Sequence, residues 1–183
     1  MRVPRTFVFV DLSGFTNYTA EHGDDAAGRI LGDFRAITRR LASDRGVRVA
    51  KWLGDGCMVV AIDQEDMVAF ALDLELEATA ACDPLSARIG LATGRALLFE
   101  GDDYIGSAVN LAARLCDAAG PGEVLVPDEQ TLDLPQGVTA APHGVIELRG
   151  FPHPVTVANL SGTPQLQRRN DTGELWTRSP FIG

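Results

Sequence analysis

The triplet Gly54-Asp55-Gly56 restricts this chain more than any other stretch. It joins two β-prone runs, residues 47–53 and 57–62, and a glycine-flanked Asp between such runs signals a tight antiparallel hairpin. Upstream, residues 7–10 read as a buried strand closed by the polar turn Asp11-Leu12-Ser13-Gly14. A long helix follows: Ala27, Ile30, Leu31, Phe34, Ile37 and Leu41 recur at helical spacing, with Arg29, Asp33, Arg35, Arg39 and Arg40 largely off that stripe. Gly46 ends it. A second amphipathic helix is predicted over about 65–81, then a strand over 87–92 that resumes over 96–99 after Thr93-Gly94. The loop 100–103 leads to a helix over about 106–119, broken at Pro121-Gly122. A short strand at 124–126 and edge strands at 145–148 and 155–160 complete the order. That order predicts an α+β fold, with helices on one face of a mainly antiparallel sheet. Residues 1–160 read as one domain. Residues 161–183, polar apart from Trp176 and Phe181, read as a loosely ordered tail.

Charge narrows the partners. A formal net charge of −9 over 183 residues argues against general binding to nucleic acid or an anionic membrane. It leaves room for a nucleotide held by a few local cations or by metal. Cys57, Cys82 and Cys116 are odd in number and form no C-x-x-C pair, so they read as inert core thiols rather than a disulfide framework or zinc site. The apolar run at 7–10 is too short for a signal-peptide core, and no apolar run reaches spanning length. A reduced, cytoplasmic setting is the expectation, with no membrane segment in this chain.

Four groups of residues carry candidate chemistry. Asp11 closes the first strand and Asp55 tips the hairpin; two hard oxygen ligands side by side suit magnesium bound to nucleotide phosphates. The plain alternative is that Asp11 is a helix-approach cap and Asp55 a turn former. Leu12-Ser13-Gly14-Phe15-Thr16 lies where a strand meets a helix, a place where free N–H groups favour phosphate, though ordinary turns look alike. Ser107, Asn110, Arg114 and Asp117 share one helix face, opposite Ala108, Leu111, Ala112 and Leu115. An amide and a guanidinium one turn apart suit a ribose and a phosphoryl oxygen, and a solvated face has the same spacing. Lys51 is a charge in an otherwise apolar strand. With Asp103 it offers a donor and an acceptor that complement adenine rather than guanine, unless the two form a simple ion pair.

Taken together, the motifs resemble those of class III nucleotidyl cyclases. Phe9-Val10-Asp11-Leu12-Ser13-Gly14-Phe15-Thr16, Lys51-Trp52-Leu53-Gly54-Asp55-Gly56, Ile89-Gly90-Leu91-Ala92-Thr93-Gly94 and the run from Asp103 to Arg114 match the family's signatures in order. The resemblance covers about residues 7–160. It implies a ferredoxin-like, palm-type sheet and an adenylate cyclase that makes cyclic AMP from ATP. It further implies that Asp11 and Asp55 hold two divalent ions (Mg2+ or Mn2+) and that Lys51 and Asp103 select adenine. Asn110 then orients the ribose and Arg114 steadies the transition state. Phe15 and Thr16 sit in the phosphate loop, and Arg149 stands where the family often has a phosphate-touching lysine. The family's sites form between two subunits placed head to tail, so a homodimer is implied. His22, His143 and His153 lie outside the motifs and read as surface or structural. The alternatives are a guanylate cyclase, which needs an acidic residue at 51 and a small or polar one at 103, and a non-catalytic nucleotide-binding dimerisation module of the same fold. The Gly-Gly-Asp/Glu-Glu-Phe hairpin of a diguanylate cyclase is absent.

Overall fold

The computed structural model describes residues 2–100 and 103–165. In chain order the elements are β1 (Arg2–Ser13), α1 (Phe15–His22), α2 (Asp24–Arg45), β2 (Arg48–Leu53), β3 (Gly56–Ala61), α3 (Gln64–Ala81), β4 (Ser86–Phe99), β5 (Asp103–Ile105), α4 (Ser107–Ala118), β6 (Val124–Pro127), β7 (Gln136–Ile146) and β8 (Val155–Gln165). They form one sheet in the order β2-β3-β1-β4-β6-β8-β7, with β5 paired to β4. Every pairing is antiparallel except β4 with β6.

β1 lies at the heart of the sheet, and its alternation assigns the two faces. Val8, Val10 and Leu12 pack with Ile30, Phe34 and Leu41 of α2 and with Met67, Phe70 and Leu74 of α3. Phe7 points the other way, against Ala92, Ala96 and the α4 residues Ala108 and Ala112. The sequence places all helices on one face; α4 in fact lies across the opposite one. The small residues of α4 explain why this was hard to read. A Cβ at Gly90 would fall 2.2 Å from the Ala112 carbonyl oxygen and from the Cys116 amide, and one at Gly94 would fall 2.8 Å from the Ala108 methyl. α4 therefore rests almost backbone to backbone on β4 through Ala108 and Ala112. Side chains as fully buried as Phe7, Phe34 and Phe70 each contribute roughly 2–3 kcal/mol by leaving water.

Several boundaries differ from expectation. β1 runs to Ser13 because β4 pairs with it throughout, as far as Ser13 with Ser86. The predicted long helix is two, broken at Gly23, whose φ of 83° and ψ of 168° no helix can contain. β4 passes through Thr93-Gly94 without interruption. There Thr93 shares a hydrogen bond with Thr6 at 2.9 Å, and the Gln130 side chain brackets its backbone at 2.7 and 3.1 Å. Residue 103 belongs to β5 rather than to a loop, while Gly101 and Asp102 lie outside the described residues. β7 begins at Gln136, far ahead of the predicted 145. Its register shifts at 136/138 and 142/144 accommodate Pro142, which an edge strand tolerates. β8 continues to Gln165, so the first five residues assigned to the tail lie in the sheet. Trp176 and Phe181 are outside the described residues. Among those described, no helix is long and apolar enough to cross a membrane.

Candidate active site

Asp11 sits near the end of β1, opposite Gly56 of β3 on one side and Arg88 of β4 on the other. A Cβ at Gly56 would lie 2.3 Å from the Val10 carbonyl oxygen, so only glycine lets β3 approach β1 this closely. The hairpin turn, where Gly54 takes a φ of 65°, then presents Asp55 beside Asp11. Burial pushes the Asp55 carboxyl above its usual range, and the neighbouring Asp11 charge pushes it further. Arg88 offsets part of this negative charge: its Nε and Nη2 donate to Asp11 Oδ2 at 2.9 and 2.5 Å, and its Nη1 donates to the Asp117 carbonyl at 3.2 Å.

Arg88 was missed in the sequence. Its signal was a permanent charge in an otherwise apolar strand, the same signal that drew notice to Lys51.

Lys51 lies on the sheet-edge strand β2 and forms an ion pair with Asp103 of β5. Both are about half exposed, at 48% and 49%. A second rung supports them: Arg48 Nη2 donates to the Tyr104 hydroxyl at 3.3 Å, and the Tyr104 ring meets Phe7 edge-on at 5.3 Å. β5 is thereby held over the α4 side of the sheet. The hydrogen bonds and ion pairs of the described residues join Asp11 to Arg88 and Lys51 to Asp103, and none joins one pair to the other.

α4 buries Ala108, Ala112, Leu115 and Cys116 and turns Asn110 and Arg114 outward. Arg114 Nη1 donates to Asp117 Oδ2 at 3.1 Å, a pair too exposed to hold it firmly. Phe15 packs on the core at the start of α1, and Thr16 is exposed beside it, directly after the left-handed Gly14 at φ 86°. Arg149 is exposed in the loop between β7 and β8, which buried Leu148 anchors. It lines an open cavity of about 400 Å³ with Phe151 and His153. That cavity and the roomier one of about 540 Å³ beside it include neither carboxylate of the Asp11–Asp55 pair nor Lys51.

Among the described residues, no three or more His, Cys, Asp or Glu gather as ligands. The Asp11–Asp55 pair still fits hard divalent cations. A second carboxylate close enough for the Asp11 charge to disfavour its ionised form makes, with Asp11, a site that a cation stabilises. The histidines stand apart: His22 stacks on Tyr18 at 4.3 Å, His143 lies 3.6 Å from Glu123, and His153 lines the cavity. All three cysteines are free and buried, and burial raises Cys57, Cys82 and Cys116 to about 12, 11 and 12.

A mixed sheet with these four helices packed on it is the palm-type α+β fold of a class III nucleotidyl cyclase catalytic domain. Residues 4–162 match the family described as the Adenylate and Guanylate cyclase catalytic domain, and the chain belongs to that family. An uncharacterised protein of Mycobacterium tuberculosis (strain H37Rv) is 37% identical over 157 residues, 86% of this chain and 41% of the relative. A Streptomyces coelicolor protein named adenylate cyclase is 34% identical over 119 residues, 64% of this chain and 31% of that protein. The chain thus spans well under half the length of either relative. The crystal structure of the adenylyl cyclase CyaB from P. aeruginosa superposes with a TM-score of 0.76 at 25% identity, covering 94% of this chain and 98% of that one. The guanylate cyclase domain of RhGC from Catenaria anguillulae, in complex with GTP, superposes at 0.74 with 20% identity, covering 89% and 99%, and shares the fold.

Proposed function

We propose that this domain is an adenylate cyclase, converting ATP to 3′,5′-cyclic AMP and pyrophosphate at sites shared between two copies of the chain. The observation that carries the reading is the Lys51–Asp103 ion pair, formed between β2 and the short strand β5 that leads into α4. Lys51 donates to the ring nitrogen of adenine and Asp103 accepts from its amino group; guanine reverses both demands. Asp11 and Asp55 would hold two divalent ions, Mg2+ or Mn2+, which would supply positive charge to the triphosphate and lower the pKa of the ribose 3′-hydroxyl. The 3′-oxygen attacks the α-phosphorus in line, forming the cyclic ester as the bond to pyrophosphate breaks. Arg114 donates to the phosphoryl oxygens as charge builds there, and Asn110 fixes the ribose. The amides around Phe15 and Thr16, and the Arg149 side chain, receive the outer phosphates.

Asp11 and Asp55 come from one subunit, and Lys51, Asp103, Asn110 and Arg114 from its partner in a head-to-tail homodimer. Each chain carries both sets, so two sites form. We place the domain in the cytoplasm, where ATP is abundant and its three thiols stay reduced.

Purified chain with Mn2+ and ATP is expected to yield cyclic AMP, with at least tenfold less product from GTP. Equal rates on the two nucleotides would overturn the adenine assignment. Asp11→Ala and Arg114→Ala chains are each expected to be inactive. Mixed in equal amounts they form hybrids with one intact site and recover about a quarter of wild-type activity. Hybrids that form and stay inactive would refute the shared site.

A further inference from the structure

Asp55 owes its position to a turn that glycine makes loose. Gly54 holds a φ of 65°, and with no Cβ on it the Gly54–Asp55 peptide plane has more than one accessible orientation. The strand leading into the turn adds little restraint, because β2 lies at the sheet edge with β3 as its single neighbour. Pairing of Gly56 with Asp11 of β1 and with Leu53 of β2 fixes the chain on either side of the turn and leaves the Gly54–Asp55 peptide itself outside both ladders.

α2 supplies the restraint. Arg35 Nη2 donates to the Gly54 carbonyl at 3.1 Å, the oxygen of the peptide plane that leads into Asp55. Its guanidinium carbon lies 5.1 Å from the centre of the Trp52 ring. Arg39, one helical turn on, stands 5.0 Å from the same ring. Trp52 in turn meets fully buried Phe34 edge-on at 6.4 Å, so the aromatic side of the clamp is rooted in the core. Arg35 Nε is buried without a hydrogen-bond partner, a penalty the fold accepts while Nη2 reaches the turn.

We infer that Arg35 is a positioning residue for the metal-holding carboxylate Asp55, locking the Gly54–Asp55 peptide through its bond to the Gly54 carbonyl. This rests on the reading of Asp11 and Asp55 as cation ligands. Arg39 shares the tryptophan but has no bond to the turn, so it supports the clamp without setting the peptide.

The test titrates Mn2+ into wild-type chain and the variants Asp55→Asn, Arg35→Met, Arg35→Lys and Arg39→Met, each with a non-cyclisable ATP analogue. Free Mn2+ is read by electron paramagnetic resonance and Tm by a thermal scan. Arg35→Met is expected to weaken Mn2+ binding about tenfold, the usual cost of losing a group that orients a ligand. Cyclase assays are expected to show a matching rise in the Mn2+ concentration for half-maximal rate, with kcat at saturating Mn2+ within about twofold of wild type. Arg35→Lys, which keeps a donor, is expected to recover part of the affinity. Arg39→Met is expected to lower Tm while binding Mn2+ normally. If Asp55→Asn weakens Mn2+ binding and Arg35→Met does not, the positioning role is wrong while the metal site stands. If Asp55→Asn binds Mn2+ like wild type, the metal site itself is wrong. Equal losses in Arg35→Met and Arg39→Met, both in step with Tm, would reduce Arg35 to a packing residue.

Discussion

Replacing Gly90 by alanine puts a methyl group where α4 already stands. The new Cβ would fall 2.2 Å from the Ala112 oxygen and the Cys116 nitrogen, and 2.8 Å from the Leu115 carbonyl carbon. All three are backbone atoms, so no rotamer change relieves the clash. Restoring ordinary contact at ~3.5 Å requires the helix to withdraw from β4 by about 1 Å. Overpacking of this kind costs about 2 kcal/mol, or roughly 4–8 °C in Tm for a domain this size. Asn110 and Arg114 ride on the same helix, and an ångström of misplacement at a reacting centre costs about a hundredfold in rate. The variant is therefore expected to melt several degrees early and, assayed well below its Tm with saturating Mn2+ and ATP, to lose most of its kcat. A variant that melts and turns over like wild type would refute the close seating of α4. One that melts early at full kcat would refute its link to catalysis.

Two further outcomes follow from the ionisable groups. Asp55 has a raised pKa in the fold, so its charged form is disfavoured there and it weakens the folded state as pH rises through the ordinary aspartate range, ~3.9. In metal-free buffer at neutral pH, Asp55→Asn is expected to melt higher than wild type; the gap should close below about pH 3 and reverse when Mn2+ is added with nucleotide, and a lower Tm for the metal-free variant at neutral pH would contradict the buried carboxylate pair. The three buried thiols, held at about 11 to 12, are expected to resist a thiol-colouring disulfide reagent at pH 8 in the native protein and to react together on unfolding, whereas rapid native reaction of any one would contradict its burial.

Much of this molecule could be read from local signals, and the misreadings share a cause. The first strand, the hairpin and the outward face of α4 all announce themselves by period or by glycine; α3 forms where expected but is not amphipathic, since Met67 to Leu72 are buried without a break, between α2 and the sheet. What stayed hidden depends on partners distant in sequence. The side of the sheet that α4 covers is fixed by Gly90 and Gly94, whose role is to be small against a helix that lies about twenty residues further on. β7 is broken up by Gly137, Pro142 and Gly144, and only its ladder with β8 reveals one edge strand. Arg88 looked like part of a strand until β1 set Asp11 beside it. The candidate site was legible because its residues fall in short motifs; which of them touch was not, since those contacts cross from β1 to β4 and from β2 to β5.

Lys51 and Asp103 hold each other in the free chain. If they read the purine as proposed, entry of a base is a change of partners: each charge must surrender a counter-ion and find an equal replacement on the ring. A base offering the opposite pattern separates the two and satisfies neither, so rejection draws on a bond already made as well as on one not formed. Discrimination at such a site comes more from the penalty on the wrong guest than from any special welcome for the right one.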